Sequence, residues 1–388
     1  MSVVSAIARL DESWTLGSLR VPNRVILAPL AGIGNWFVRL QAKRYGAGMA
    51  VSEMVSSHAV HYGNPKTCNE MLRIDPRERV GGPVAIQLFG EDPAMMRSAA
   101  AYVARAGADA IDINMGCPVP KVQKTGAGAA LLADPDRAVE VARAAVEGAR
   151  EALAGSLPSE GHPGGRTLKG TPSRAQAGRQ AGGAAAAGGL DGTRVGGIPV
   201  TVKLRSGLRA GDESGYPLSH RLVEEAGVAA IAFHPRSAAV HHKGHPDYEL
   251  VARLVESLPA PVILSGGLSD AAQVREAFEQ TGVSAVMLAR GALGNPWIFS
   301  ELLGERDQPP EAAEVLRELH WTIERAVEHL GPERATRYMR KFYPWYLERL
   351  DLGRADVAEL ARELQRTPTL EGVRDVLAPL CERTPIAR

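Results

Sequence analysis

Cysteine, net charge and long apolar runs are all scarce in this chain of 388 residues. Three cysteines occur, Cys68, Cys117 and Cys381, too few and too scattered for a disulfide framework or a zinc ribbon. They are expected as free thiols in a reducing compartment, and no metal site is expected. Lys and Arg number 45 against 44 Asp and Glu, a formal net charge of +1. No global field therefore draws the molecule to a polyanion, and any nucleic-acid contact must be a local patch. The amino terminus has no basic segment followed by an apolar run of signal-peptide length, since Asp11 and Glu12 come directly after a mixed stretch. No uncharged apolar run is long enough for a membrane helix. A cytoplasmic protein with no membrane association is expected.

What is present is ordinary globular material. Hydrophobic residues make up 45% and charged residues 23%, enough to bury a real core. The length fits one large domain of about 250 to 300 residues with a smaller one. Wholesale disorder and a small stapled module are both excluded.

Glycine is the uneven component. The stretch 151–197 has 13 glycines in 47 residues and no aromatic residue, and its run AGGAAAAGG (181–189) has no apolar period. Such a segment buries too little surface to offset the entropy of ordering it. It reads as a flexible insertion on a loop, either a solvated spacer or a lid.

On both sides of it, short apolar runs alternate with helix-like segments. The runs are VILAPLAG (25–32), MAVSEM (49–54), VAIQLFG (84–90) and AIDINMG (110–116), then IPVTVKL (198–204), AAIAFH (229–234), PVILSGG (261–267) and AVMLARG (285–291). Eight runs without strict alternation suit strands covered on both faces. They predict an α/β fold, a closed (β/α)8 TIM barrel, with an open doubly wound sheet as the alternative. From Pro310 the sequence is helical to the end, with helices expected over 311–330, 333–350, 356–366 and 370–380. The chain thus divides into a barrel over 14–304 and a C-terminal all-helical domain over 308–384.

Active sites of barrels gather at the carboxyl ends of the strands. The residues there are Pro29, Leu30 and Ala31, then Glu53, Gln87, Asn114 with Cys117, Lys203 with Arg205, His234, Ser265 to Gly267, and Ala289 to Gly291. Polar and cationic groups at the ends of apolar runs need partners, and they read as the lining of a pocket. The glycines after the last two runs leave bare backbone amides where this fold holds phosphate, although turn geometry alone would also call for glycine. A phosphate there, a cation at Lys203 and a hydrogen-bonding Gln87 suggest flavin mononucleotide (FMN) across the barrel mouth. Cys117 lies between Gly116 and Pro118 just after a strand, so it falls on a loop at the mouth. A thiol is mostly protonated at neutral pH and can donate a proton as readily as act as a nucleophile. Cys68 and Cys381 have no pocket neighbours in sequence and are given no role.

In the helical tail, ERATRYMRKFYPWYLERL (333–350) interleaves Arg334, Arg337, Arg340, Lys341 and Arg349 with five aromatics. Basic groups with aromatics fit RNA backbone neutralisation and base stacking, while aromatics at helical spacing also fit plain core.

The segments APLAG, QLFGEDP, DINMGCPVPKVQKTGAGAALL, VKLRSG, SGG and ARGALGNPWIF, followed by RYMRKFYPWYL, together resemble the tRNA-dihydrouridine synthases, most closely the bacterial B-type branch. The likeness spans about 14–350 apart from the Gly-rich insertion, which departs from the family pattern. It implies an FMN barrel that reduces particular tRNA uridines to 5,6-dihydrouridine with electrons from NADPH. By position, Pro29, Leu30 and Ala31 would contact the flavin, and Gln87 and Lys203 would bind its ring. His234 would meet the ring or phosphate, and Ser265, Gly266, Gly267, Ala289 and Arg290 would cradle the phosphate. Cys117 would be the acid, Asn114 and Arg205 would face the uracil, and Arg337, Arg340 and Lys341 would hold tRNA. No obligate protein partner is implied. Two other readings remain open at this point: a flavin barrel for a small-molecule pyrimidine or enone, and a non-catalytic RNA-binding barrel.

Overall fold

The architecture is that of a computed structural model, which describes residues 9–153 and 197–383. The expected insertion falls almost wholly outside the described residues. Among these, no helix is long and apolar enough to cross a membrane. The chain divides into two compact units between Ala289 and Arg290.

The first unit opens on a hairpin, β1 (Trp14–Leu16) and β2 (Leu19–Val21), turned through Gly17 at φ +57°. Eight parallel strands follow and close into a barrel. They are β3 (Val25–Leu27), β4 (Met49–Ser56), β5 (Val84–Phe89), β6 (Ala110–Met115), β7 (Val200–Arg205), β8 (Ala230–His234), β9 (Val262–Ser265) and β10 (Ala285–Leu288), with β10 pairing back onto β3. All eight apolar runs become strands. The first is shorter than its run because Pro29 has no N–H to continue the ladder. The chain turns instead, with the amides of Ile33 and Gly34 donating to Leu30 O at 3.0 and 2.7 Å.

The hairpin was not read from the sequence, and its role is plain in the packing. Trp14, Leu16, Leu19 and Val21 pack into one cluster with Ile26, Ala85, Ala110, Ala230 and Ala285. Small alanines near the amino-terminal ends of the strands leave room for the hairpin's large side chains, so that end of the barrel is filled. Polar chemistry is left to the carboxyl ends.

Helices of the first unit start where capping predicts. Asp92, Asp247 and Asp270 each accept the amide three residues on, at the starts of Pro93–Arg105, Tyr248–Ser257 and Ala271–Thr281.

The second unit is helical, with its main helices at Ala312–Leu330, Pro332–Met339, Tyr343–Leu347, Arg354–Arg366 and Leu370–Arg383. It begins earlier than 308 because the short helix Trp297–Leu302 is tied into it: Trp297 Nε1 donates to Glu314 at 2.6 Å, and Arg306 pairs with the same carboxylate at 2.7 Å. The single helix expected over 333–350 is corrected to two. Pro344 has no N–H, and its ring would clash with the carbonyl of Arg340, so the first helix stops at Met339 and Pro344 opens the next.

Candidate active site

Side chains two apart on a strand share a face. On β6 this aligns Asp112 with Asn114, and on β7 it aligns Thr201, Lys203 and Arg205. Register then sets strands side by side: Gln87 pairs with Asp112, Asp112 with Thr201, Asn114 with Lys203, and Arg205 with His234. Residues far apart in sequence thus meet at one end of the barrel.

They form a continuous hydrogen-bonded chain. The amides of Cys117 and Gly116 donate to Oδ1 of Asn114 at 2.9 and 3.2 Å. Asn114 Nδ2 donates to Oε1 of Gln87 at 3.0 Å, and Gln87 Nε2 donates to Oδ2 of Asp112 at 2.6 Å. The hydroxyl of Thr201 closes the chain on Oδ1 of Asp112 at 2.5 Å. Burial pushes the Asp112 carboxyl up to about 6, against the pull of Thr201, Gln87 and Lys203. Lys203 stands beside it, its ammonium lowered to about 8 by burial and then by the like charge of Arg205. Both values lie on the ionised side of neutrality.

Cys117 is half-buried on the loop after β6. Its carbonyl accepts from Ala129 at 3.1 Å, and Gly128, at φ +63°, leaves no room for a side chain beside it. Arg205 is buried and occupied. Its Nε donates to Gly116 O at 2.9 Å and its Nη1 to Ser237 O at 3.1 Å and His241 O at 2.9 Å. Through these bonds Arg205 clamps the Cys117 loop to the loop after β8.

His234 ends β8, buried, with its ring stacked on His242 at 6.4 Å. Its Nε2 and the Oγ of nearby Ser237 are buried without a hydrogen-bond partner. Burial, then the charges of Lys203, Arg205 and Arg236, hold the imidazole far below its ordinary range, so it is neutral. After β9, Gly266 at φ +95° and Gly267 at φ +82° carry bare backbone in a conformation that side chains rarely adopt. Ser265 is buried, Ala289 half-buried and Arg290 exposed, the last belonging to the second unit. In the loop after β3, Pro29 is half-buried, Leu30 buried and Ala31 exposed. Glu53 holds that loop by accepting from Gly32 N at 2.9 Å.

The model of one family, described as Dihydrouridine synthase (Dus), matches residues 26–151 and 193–377. The chain belongs to the dihydrouridine synthase family. The match passes over 152–192, within the glycine-rich stretch. A relative named tRNA-dihydrouridine synthase B from Pseudomonas aeruginosa is 32% identical over 89% of this chain and 90% of its own. Another so named, from Shewanella oneidensis, is 28% identical over 92% and 97%. Histamine dehydrogenase from Rhizobium sp. 4-9 shares the fold, with a TM-score of 0.51 at 13% identity, covering 76% of this chain and 48% of that one.

Asp112, Thr201 and Ser237 were not singled out in the sequence of this dihydrouridine synthase. For Asp112 a signal existed: an acid inside an apolar run, two residues before Asn114. Ser237 carried none, because its burial depends on the loop path after β8.

Over 333–350 the basic residues are exposed and the aromatics divide. Arg337 pairs with Glu333 at 3.1 Å, Arg340 is exposed, and Lys341 lies 4.2 Å over the Tyr338 ring. Phe342, Tyr343 and Tyr346 are buried, so these three rings are core and are closed to stacking on bases.

Proposed function

We propose that this dihydrouridine synthase reduces particular uridines of tRNA to 5,6-dihydrouridine, with FMN as its cofactor and NADPH as the electron donor. The observation that carries the reading is the pairing of a Cys117 loop fixed by Asn114 with unsatisfied polar atoms at His234 and Ser237 on the same barrel mouth. The fit to FMN rests on those atoms and on the bare backbone of Gly266 and Gly267. Gln87, Lys203 and His234 would hold the ring, with Pro29, Leu30 and Ala31 along its edge. Ser265, Gly266, Gly267 and Ala289 would receive the phosphate. When bound and reduced, this cofactor supplies the hydride for carbon 6 of the uracil.

The protein's own share is orientation and a proton. Sγ of Cys117 gives its proton to carbon 5, and the thiolate left behind faces the positive charges of Lys203 and Arg205. Asn114 holds the Cys117 amide, which keeps the thiol at the mouth. Lys203 balances negative charge on the ring as a compact point charge. The target base must leave its stack to reach this site, at a cost of about a few kcal/mol. Arg340 and Lys341, with Arg337, offset that cost by binding tRNA phosphates.

The deciding experiment is reconstitution. Purified protein with FMN and NADPH is given unmodified tRNA transcript, and each uridine is mapped for a mass gain of two hydrogens. Dihydrouridine at defined positions supports the reading. A flavin-loaded protein that oxidises NADPH yet leaves every uridine unchanged overturns it.

A further inference from the structure

Asp112 takes no part in the steps just described, yet three side chains converge on it. Gln87 and Thr201 donate to its two oxygens, and Lys203 on the adjacent strand is the charged group facing it among the described residues. An ionised carboxylate can only accept hydrogen bonds. The nitrogen of the Gln87 amide must therefore face Asp112, which turns its oxygen toward Asn114. Asn114 must then offer nitrogen to Gln87 and oxygen to the Cys117 amide. Side-chain amides have no polarity of their own, because either end fits the same space. Here a backbone N–H that can only donate stands at one end of the series, and a carboxylate that can only accept stands at the other.

We propose that Asp112 is a positioning residue for the reaction at Cys117: the acceptor oxygen it offers Gln87 completes the Gln87–Asn114 amide chain in the direction the Cys117 amide requires, and so holds the Cys117 loop in place. The inference rests on the reading of the site given above. Without an acceptor at that place, a turned Gln87 would set nitrogen against nitrogen at Asn114. A turned Asn114 would in turn set nitrogen against the Cys117 and Gly116 amides. Two loop N–H groups would lose their acceptor, and the thiol its fixed place.

The alternative is that Asp112 merely balances the charge of Lys203. Two substitutions separate these roles. Asp112→Leu removes every acceptor. Asp112→Asn removes the charge but can keep an oxygen on Gln87 while its nitrogen donates to Thr201. Asp112→Leu is expected to lower kcat for uridine reduction by about tenfold or more, with KM for tRNA within about threefold of the parent. Asp112→Asn is expected to recover most of that kcat. A folded Asp112→Leu protein with parental kcat overturns the proposal, as does an Asp112→Asn protein as slow as Asp112→Leu.

A measurement on the unaltered protein covers the case in which Asp112→Leu does not fold. With glutamine side chains isotopically labelled, the Gln87 amide resonance is expected to shift as the Asp112 carboxyl, raised to about 6, titrates. A Gln87 signal that stays still while the Asp112 carboxyl resonance itself moves overturns the proposal. This arm needs no tRNA, so it stands apart from any failure of the proposed reaction.

Discussion

A methyl group at Gly266 would stand 2.3 Å from Nε2 of His234. The glycine follows one strand and the histidine ends its neighbour, and the absence of a side chain on the one is what leaves room beside the buried ring nitrogen of the other. Gly266→Ala is therefore expected to fail twice. At φ +95° the alanine is strained, by about 1 to 3 kcal/mol, and it covers the atom that would meet the cofactor. The melting temperature should fall and the purified protein should lose its flavin absorbance. Gly211→Ala is the control: φ is +76° there, with nothing within 4 Å of the added carbon. It should lower stability and keep the colour.

Cys117→Ala tests the proton. Its backbone bonds to Asn114 and Ala129 do not involve the thiol, so the loop and the bound flavin should survive. Loss of a positioned general acid costs about 10²- to 10⁴-fold in rate, and uridine reduction should fall by that order. Rapid mixing of reduced protein with tRNA reads this directly. Full tRNA activity in Cys117→Ala would remove the acid from this residue.

The pH profile follows from Lys203. Its ammonium is lowered from 10.5 to about 8 in the folded protein, so the charge is present below about pH 8 and lost above it. If that charge balances the reduced ring, kcat/KM should decline above about pH 8. The stability contribution has the opposite sense. Between about 8 and 10.5 the unfolded chain holds a proton that the folded chain has released, so this group makes stability rise with pH across that window. Activity and melting temperature measured on one pH series should diverge there. Because Lys203 and Asp112 interact, the limbs seen belong to the pair.

The barrel was legible because eight apolar runs of strand length, separated by helical segments, admit few packings. The site was legible in outline, since polar residues at strand ends are hard to explain as core. Its wiring was hidden. Gln87 and Asp112 are 25 residues apart, and Asp112 and Thr201 are 89 apart, so only strand register shows that they touch. The clamp made by Arg205 was hidden for the same reason, as its carbonyl partners lie on two loops whose paths no local pattern sets. The break at Pro344 was readable from sequence, since an interior proline argues against a continuous helix. The strong amphipathic spacing on both sides obscured it.

The second unit separates surface charge from buried rings, and two substitutions test that division. Arg340 and Lys341 are exposed, so Arg340→Glu with Lys341→Glu should weaken tRNA binding strongly at low salt. Each lost phosphate contact should reduce the slope of log affinity against log salt by about 1. Flavin content and melting temperature should stay near the parent's. Tyr346, by contrast, is buried with its hydroxyl 2.9 Å from Thr322. Tyr346→Phe removes one buried hydrogen bond, worth about 0.5 to 1.5 kcal/mol, and should lower the melting temperature while leaving tRNA affinity and its salt slope unchanged. If the charge reversals leave the salt slope unchanged, the phosphate contacts lie elsewhere on the protein, and Arg340 and Lys341 are only a solvated face.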